Sequence, residues 1–509
     1  MSDWGGGYVT DAAYVRDYCR NQTPAMLALC ALAGGVAAKG AKGEPLNYCD
    51  LGCGQGLTAT LIAAGNPQTR VWGVDFNPAH IANATALAQA ARLDNIQFRE
   101  AGFEELADDP SLPDFDMIAA HGVFSWIAPD HRRALVAFVG RRLKPGGLFY
   151  ISYDCMPGWA GVAPLRRILA RNFAPRPGLA SPAALEQAIA YADGLRAADA
   201  RFHRVYPNVE AQIERLKKTP RAYLAHEILT RHWEAFTFGE LAEELAPAKL
   251  VYLASAHIVD SVDRLNYTPE QQGFLDGIAD PVLAEETRDM LLSRQFRRDI
   301  FIKGRPDADD AQLRALWLDA RFALTVPADE FELGFETPLG KMQLRQEVHG
   351  PLIAALREGP TTLRDVLARA SDAAAHWTAL VDGVKALVAR GDVQPALSGE
   401  GDAGRANSAK AFNDAVLERA LARGAVRYLA SPVTGGGVAV DPLSQAYLLA
   451  LRRGVAEPLK ELATLAEAAA PLDADGGPAN DEARRAYGAA QAARIGGRVT
   501  PMLERLGIG

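Results

Sequence analysis

Asp50-Leu51-Gly52-Cys53-Gly54-Gln55-Gly56 decides the fold. An apolar run, Leu46 to Leu51, leads into it, and the helical pattern Leu57-Thr58-Ala59-Thr60-Leu61-Ile62-Ala63-Ala64 leaves it. Strand, glycine-rich turn and helix form the first unit of a doubly wound α/β sheet, whose ligands sit where strand carboxyl ends meet helix amino ends. Glycine lets the backbone turn tightly and approach a ligand with no Cβ in the way. A dinucleotide site wants G-x-G-x-x-G, and its third glycine would fall where Leu57 stands. The pattern here is G-x-G-x-G, with an acid, Asp50, two residues ahead of the first glycine. A carboxylate at that point suits a ligand with a cationic end better than a pyrophosphate.

The residues beyond the loop narrow the ligand. Arg70-Val71-Trp72-Gly73-Val74-Asp75 reads as the second strand and ends in a carboxylate. An acid about 20 residues past the loop is placed to accept both ribose hydroxyls. The alternative use of Asp75 is a helix N-cap before Pro78. A third strand, Asn95 to Arg99, leads to Ala101-Gly102-Phe103, and a fourth, Phe115 to Ala120, ends at His121-Gly122. Lys144-Pro145-Gly146-Gly147 is the tight turn before a fifth, Leu148 to Tyr153. Helices 57–64, 78–91 and 130–143 alternate with these strands. Five strands in step with one nucleoside-type ligand make a Rossmann-like α/β domain.

Composition sets the outer bounds. The chain has 509 residues, 49% hydrophobic content and a formal charge of −8, with a pI near 5.7. That balance argues against nucleic acid or an anionic membrane surface as partner. No apolar run reaches the ~18 residues of a membrane helix, and Met1 to Gly7 has neither a basic nor an apolar leader region. The five cysteines are odd in number, and Cys49 with Cys53 is not a zinc spacing. Reduced thiols in a cytoplasmic protein without metal are the expectation.

Residues 8 to 24 precede the sheet and are rich in tyrosine. Tyr14 and Tyr18 are one helical turn apart, so one face of a lid could present both to the pocket. The same rings could instead only anchor the segment to the core. The loop His121-Gly122-Val123-Phe124-Ser125-Trp126 lacks the Asn/Asp-Pro-Pro-Tyr/Phe box of enzymes that methylate amides and bases. His121 is open to two uses, general base or cofactor lining. Tyr153-Asp154-Cys155-Met156-Pro157-Gly158-Trp159 stands at the lip where an acceptor would enter. Residues 162 to 233 read as helical, with breaks at Pro175, Pro177 and Pro207. Two strands come next, 249–254 and 296–303, and complete a seven-stranded sheet. Beyond 305, strands at 321–326 and 393–396, a hairpin about Pro338-Leu339-Gly340 and three helices resemble a winged helix without a basic recognition face. A polar linker at 398–408, a helical remainder, a hairpin at Thr434–Gly437 and a loop at 473–480 end the chain. No catalytic motif occurs after 305, and 310–509 is expected to contribute nothing to the cofactor pocket.

The strings Gly7-Tyr8-Val9-Thr10-Asp11, Asp50 to Leu57, Asp75-Phe76-Asn77-Pro78-Ala79-His80, His121 to Trp126, Ser152-Tyr153 with Pro157-Gly158-Trp159, and Arg294-Gln295-Phe296-Arg297-Arg298-Asp299-Ile300-Phe301 resemble bacterial class I S-adenosylmethionine (SAM) methyltransferases with a methyltransferase regulatory domain. Some members look like protein-lysine methyltransferases that modify outer-membrane or surface proteins and form homodimers. The resemblance implies SAM, with S-adenosylhomocysteine as product, held by Tyr8, Asp50, Gly52, Gly54, Gln55, Gly56, Asp75, Phe76, Asn77, Ala101, Gly102, Phe103, His121, Gly122 and Val123. Trp126 and Tyr153 would line the acceptor's path, and Tyr14, Tyr18 and Asp154 would serve the chemistry. The expected divisions are a lid segment (1–44), a SAM-binding core (45–160), a helical insertion (161–235), a regulatory segment completing the sheet (212–305), a winged-helix-like domain (306–397) and a mostly helical domain (398–509). Protein N-methylation on lysine, small-molecule methylation and a non-catalytic SAM-binding scaffold all remain open at this point. Two large extra domains without chemistry of their own favour the first.

Overall fold

The structure is a computed structural model that describes residues 7–9, 16–174, 181–306, 308–370, 376–420, 425–470 and 480–509. Seven strands form one sheet: β1 (Asn47–Leu51), β2 (Arg70–Asp75), β3 (Ile96–Glu100), β4 (Phe115–Ala120), β5 (Leu143–Asp154), β6 (Leu250–Ser255) and β7 (Phe296–Lys303). Their order is β3-β2-β1-β4-β5-β7-β6. The first five are parallel, and β7 alone runs against its neighbours β5 and β6. The order reverses direction between β1 and β4, which is where a doubly wound sheet opens its ligand crevice. The expected turn at Lys144–Gly147 is absorbed into β5, where the register with β4 shifts between Phe115 and Met117.

β7 is tied into the sheet by a buried charge. The Arg297 guanidinium is 3% exposed and reaches Asp299 at 2.8 Å, Asp289 at 2.9 Å and Glu285 at 2.8 Å, over the face of Phe238. An arginine with three acid partners satisfies its planar fork in the interior, whereas a lone one would be excluded. β6 and β7 are therefore part of the same sheet as β1 to β5.

The insertion between β5 and β6 is helical: Ala163–Phe173, Ser181–Ala197, Arg201–Val205, Asn208–Lys217 and Arg221–Leu229. Pro175 and Pro177 lie outside the described residues, and Pro207 sits between two of the helices. After β7, three strands, β8 (Arg321–Leu324), β9 (Gly334–Thr337) and β10 (Gly340–Gln343), precede helix Gln346–Glu358. β11 (Thr361–Thr362), helices Leu363–Arg369 and Trp377–Arg390, and β12 (Val393–Ala396) come after it. β8 is the middle strand of a three-stranded sheet with β11 and β12, and β9 pairs with β10 as a hairpin. The stretch expected as a linker at 398–408 is mostly helix, since Asp402–Leu417 is continuous. β13 (Tyr428–Ser431) and β14 (Gly436–Ala439) form the hairpin about Thr434. Most of the loop expected at 473–480 lies outside the described residues.

The carboxy-terminal modules share cores with the catalytic sheet. Helix Leu57–Gly65, which leaves the glycine loop, carries no charge and is buried along its whole length. A helix apolar on every side must be covered on every side. The sheet covers one face, and Phe412, Leu429 and Val438 pack in the same cluster as Leu57 and Leu61. Helix Pro24–Ala33 likewise shares a cluster with Phe322, Val348 and Val393. Among the described residues, no helix is long and apolar enough to cross a membrane.

Candidate functional site

The loop after β1 is shaped by close approaches. Gly52 has φ +71°, and a Cβ there would stand 2.4 Å from the Val123 side chain. Gly56 has φ +70°, and a Cβ would meet Ala84 at 2.6 Å and the Phe98 ring at 2.7 Å. Both positions combine the left-handed backbone with no room for a side chain. Gly56 is thus a packing residue, which lets helices Leu57–Gly65 and Pro78–Ala90 approach, and it does not face the crevice.

Two carboxylates flank the loop in different states of satisfaction. Asp75, at the end of β2, accepts the Gly54 N–H at 2.9 Å and the Asn77 N–H at 2.9 Å, and touches His80 Nδ1 at 3.2 Å. These bonds aim its remaining lone pairs into the crevice, where they can receive ribose hydroxyls. Asp50 is 3% exposed and accepts no hydrogen bond among the described residues. Burial pushes its carboxyl up to about 7, with nearby His121 opposing and Cys19 and Asp75 adding to the rise. A buried carboxylate without a donor fits a cationic ligand group. The sequence-derived cofactor, SAM, brings an ammonium, so the residues present fit it.

The crevice has two chambers that meet at Gly52, Gly54 and His121. One, of about 390 Å³, is lined by Tyr8, Asp75, Phe76, His80, Ala101, Gly102, Phe103, Gly122, Val123 and Trp126. Carboxylate, small residues and aromatic faces suit a nucleoside. The other, of about 670 Å³, contains Asp50, Cys53, Gln55 and His121, together with Arg16 to Gln22, Tyr223 and Arg298. Its outer wall is Thr325, Arg390, Tyr428 and Gly437 to Ala439. The expectation that 310–509 stays clear of the cofactor crevice is thereby corrected. The reason is the covered helix Leu57–Gly65, whose burial brings the β13–β14 hairpin over the loop.

At the junction, His121 stands among hydroxyls and a thiol. Its Nδ1 lies 2.8 Å from the Tyr150 hydroxyl, 2.9 Å from Ser152 Oγ and 3.8 Å from Cys19 Sγ. Burial works against the Cys19 thiolate, but His121 and Tyr150 outweigh it and bring that thiol down to about 7. Burial likewise opposes the His121 imidazolium, yet Cys19 holds it above its usual range. Each group thus favours the charged form of the other.

The other residues singled out in the sequence fall in several places. Tyr8 and Trp126 line the nucleoside chamber, with Tyr8 packed edge-on to Phe76 at 5.9 Å. Gln55 faces the second chamber and accepts from Arg16 Nε at 2.7 Å. Asn77 caps helix Pro78–Ala90, accepting from Ala79 N–H at 2.9 Å, and lines neither chamber. Tyr14 lies outside the described residues. Tyr18 packs on Tyr428, with centroids 5.1 Å apart, and its buried hydroxyl is directed at Gly436; its place is an anchor to the carboxy-terminal hairpin. Tyr153 is not at the lip, because its side chain is buried in the sheet core and its hydroxyl donates to Asp299 at 2.8 Å. Asp154 is likewise buried and receives the Trp233 indole N–H at 2.6 Å. Burial raises its carboxyl to about 6, with Trp233 and Arg166 opposing. It pins the insertion to the end of β5. Alternation along β5 carries the reason: Tyr150 and Ser152 share the face that meets His121, and Tyr153 points the other way. Sequence reasoning missed Cys19, His80, Tyr150 and Arg298. The period-two pattern along β5 and β7 was the signal available for the last two.

Among the described residues, no group of three or more His, Cys, Asp or Glu is placed to hold a metal ion. A family model described as "Methyltransferase domain" matches residues 49–149, and one described as "Predicted methyltransferase regulatory domain" matches 220–303. Uncharacterized protein sll1526 of Synechocystis sp. is 35% identical over 453 residues, which cover 88% of this chain and 88% of that protein. Trans-aconitate 2-methyltransferase of Methylobacterium nodulans is 30% identical over 146 residues, 27% of this chain and 53% of that enzyme. The solved structure of PKMT2 from Rickettsia typhi in complex with AdoHcy superposes with a TM-score of 0.72 at 16% identity, covering 97% of this chain and 100% of the other. At that identity the likeness is one of fold, and it extends through the carboxy-terminal modules.

Proposed function

Because the chain belongs to the family of class I SAM-dependent methyltransferases that carry a methyltransferase regulatory domain, we propose that its methyl acceptor is a protein side-chain amine, that of lysine. One observation carries this reading. The chamber at the donor end is a cleft whose walls come from the amino-terminal segment, the insertion and both carboxy-terminal modules. A small acceptor needs no such assembly, whereas a polypeptide reaching a buried donor needs surfaces on several sides. The full-length likeness of fold to PKMT2 supports it.

When bound, SAM supplies an electrophilic methyl group on a sulfonium. In the proposed roles, Asp75 receives the ribose hydroxyls, Asp50 the ammonium, and Gly52 and Gly54 admit the ligand to the backbone. Holding donor and acceptor in line at near-contact distance accounts for much of the acceleration such transfers need. A lysine must also lose its proton, which from a pKa of ~10.4 costs about 4 kcal/mol at pH 7.4. Desolvation in the cleft and the neighbouring charge of Arg298 both lower that cost. The Cys19–His121 pair stands beside the cleft as a proton acceptor.

Tritiated SAM incubated with the protein and host lysate tests the reading. Label in the protein fraction that survives acid hydrolysis as methyl-lysine is the expected result. Label only in small molecules would replace it with the second reading, a small carboxylic acid, which the shared core of trans-aconitate 2-methyltransferases favours.

A further inference from the structure

The donor-end chamber holds more positive charge than its own carboxylates answer. Arg16, Arg20 and Arg298 line it beside Asp17, Asp50 and Asp392. Asp392 is paired with Arg390, and Asp17 accepts the Tyr18 N–H and the Tyr428 hydroxyl. None of the three arginines makes an ion pair among the described residues. Arg16 donates to Gln55, and Arg20 to the carbonyl of Ala389. Among the described residues the Arg298 guanidinium makes no hydrogen bond, and it lies over the Phe296 ring, 5.1 Å from its centroid. A guanidinium supported on one face by an aromatic ring keeps its in-plane donors free for a planar anion.

Position separates Arg298 from the cofactor's own carboxylate. Arg16 is tied to the glycine loop through Gln55, whose side-chain oxygen accepts from its Nε at 2.7 Å. Arg298 stands opposite Ser152 in the β5–β7 register. It is three strands from β1, so at ~4.8 Å per strand its Cα lies about 14 Å across the sheet. It shares a face with Tyr150 and Ser152, the residues that hold His121, and so it borders the reacting end of the cleft from the side opposite the loop.

We propose that Arg298, backed by Arg20, is a recognition site for a carboxylate on the methyl acceptor; in a polypeptide acceptor this is an Asp or Glu side chain next to the target lysine. The lysine part rests on the protein reading above, and the carboxylate site does not. Such pairing fixes the acceptor's register in the cleft. It selects lysines in acidic surroundings over the many others a proteome offers.

The test uses the full chain saturated with S-adenosylhomocysteine and titrated calorimetrically with glutarate as the carboxylate probe. Wild type is expected to bind it, Arg298→Gln to bind at least tenfold more weakly, and Arg298→Lys, which keeps the charge but loses the planar fork, to fall between the two. No binding to wild type, or equal binding by all three proteins, overturns the proposal. A tenfold loss of S-adenosylhomocysteine affinity in Arg298→Gln also overturns it, because the guanidinium then holds the cofactor's carboxylate. Tritium transfer to two peptides, identical except for Glu or Gln beside a single lysine, locates the anion. A preference of tenfold or more in kcat/KM for the Glu peptide, erased by Arg298→Gln, is the expected result, and equal transfer to both overturns it. Transfer to neither, with the glutarate site intact, removes the protein reading and leaves the carboxylate site standing.

Discussion

Asp50 and Asp75 flank the same loop, yet their environments assign them opposite properties. Asp75 is supported by two backbone N–H groups, and charge-assisted bonds to a ligand are worth ~1.5–3 kcal/mol each. Asp75→Ala is therefore expected to weaken S-adenosylhomocysteine binding at least tenfold by calorimetry. Asp50 has no donor among the described residues, and its folded-state carboxyl is raised to about 7 from an unfolded value near 3.8. A raised acid stabilises the fold only at low pH, and that contribution is lost as pH rises through the folded value. Holding it ionised above pH 7 costs the free protein on the order of 4 kcal/mol. Asp50→Asn is expected to raise the melting temperature of the free protein at pH 8, with the gain shrinking as pH falls from 7 toward 4. The same variant should lose SAM binding, because the ammonium loses its counter-charge. In wild type, SAM affinity should fall as pH drops below about 7, and in Asp50→Asn the residual affinity should lose that slope. Equal melting temperatures at pH 8 would show that Asp50 is satisfied in the free protein.

At the scale of elements, the glycine loop and β7 are the two places where a single change should be felt most. Gly56→Ala places a Cβ against Ala84 and the Phe98 ring in a left-handed backbone. The conformation alone costs about 1–2 kcal/mol, and the clash adds to it, so a loss of ~3 kcal/mol or more in urea unfolding is expected. Arg297→Met removes the cation shared by Asp289, Asp299 and Glu285. Leaving buried acids uncompensated costs ~3–5 kcal/mol. Denaturant unfolding should show that loss, and replacing the acids as well should restore part of it. A stability change below 1 kcal/mol would mean that β7 is held by its apolar side chains alone.

At the scale of the whole molecule, the catalytic sheet does not end where its motifs end. Helices Pro24–Ala33 and Leu57–Gly65 are each part of a core completed by residues beyond 310. A fragment ending at 305 would expose Leu29, Leu57 and Leu61 to water, at ~25 cal/mol per Å² of apolar surface. It is expected to aggregate or to bind hydrophobic dyes on expression, while the full chain does not. A soluble, monomeric fragment with wild-type SAM affinity would show that the shared cores are dispensable.

The sequence by itself determined the sheet and its ligand end. Strand, loop and helix signals are local, and the spacing from Gly54 to Asp75 follows from the length of one helix and one strand. All seven sheet strands were legible in this way, including the two that come after a long insertion, because apolar β-branched and aromatic runs are rare elsewhere in the chain. What only the tertiary structure decided is which side chains meet across distant segments. Tyr18 could face the pocket or anchor the segment by sequence alone; the hairpin at Thr434, some 400 residues later, gives its ring a packing partner in Tyr428 at the wall of the second chamber. Tyr153 and Asp154 sit at the right strand end, but strand parity and the Trp233 indole withdraw them from the cleft. Arg298, beside a visibly similar Arg297, is the reverse case. Alternation sends one guanidinium into three buried acids and the other, without an ion-pair partner among the described residues, toward His121, and no local pattern records which neighbour carries the charge to answer it.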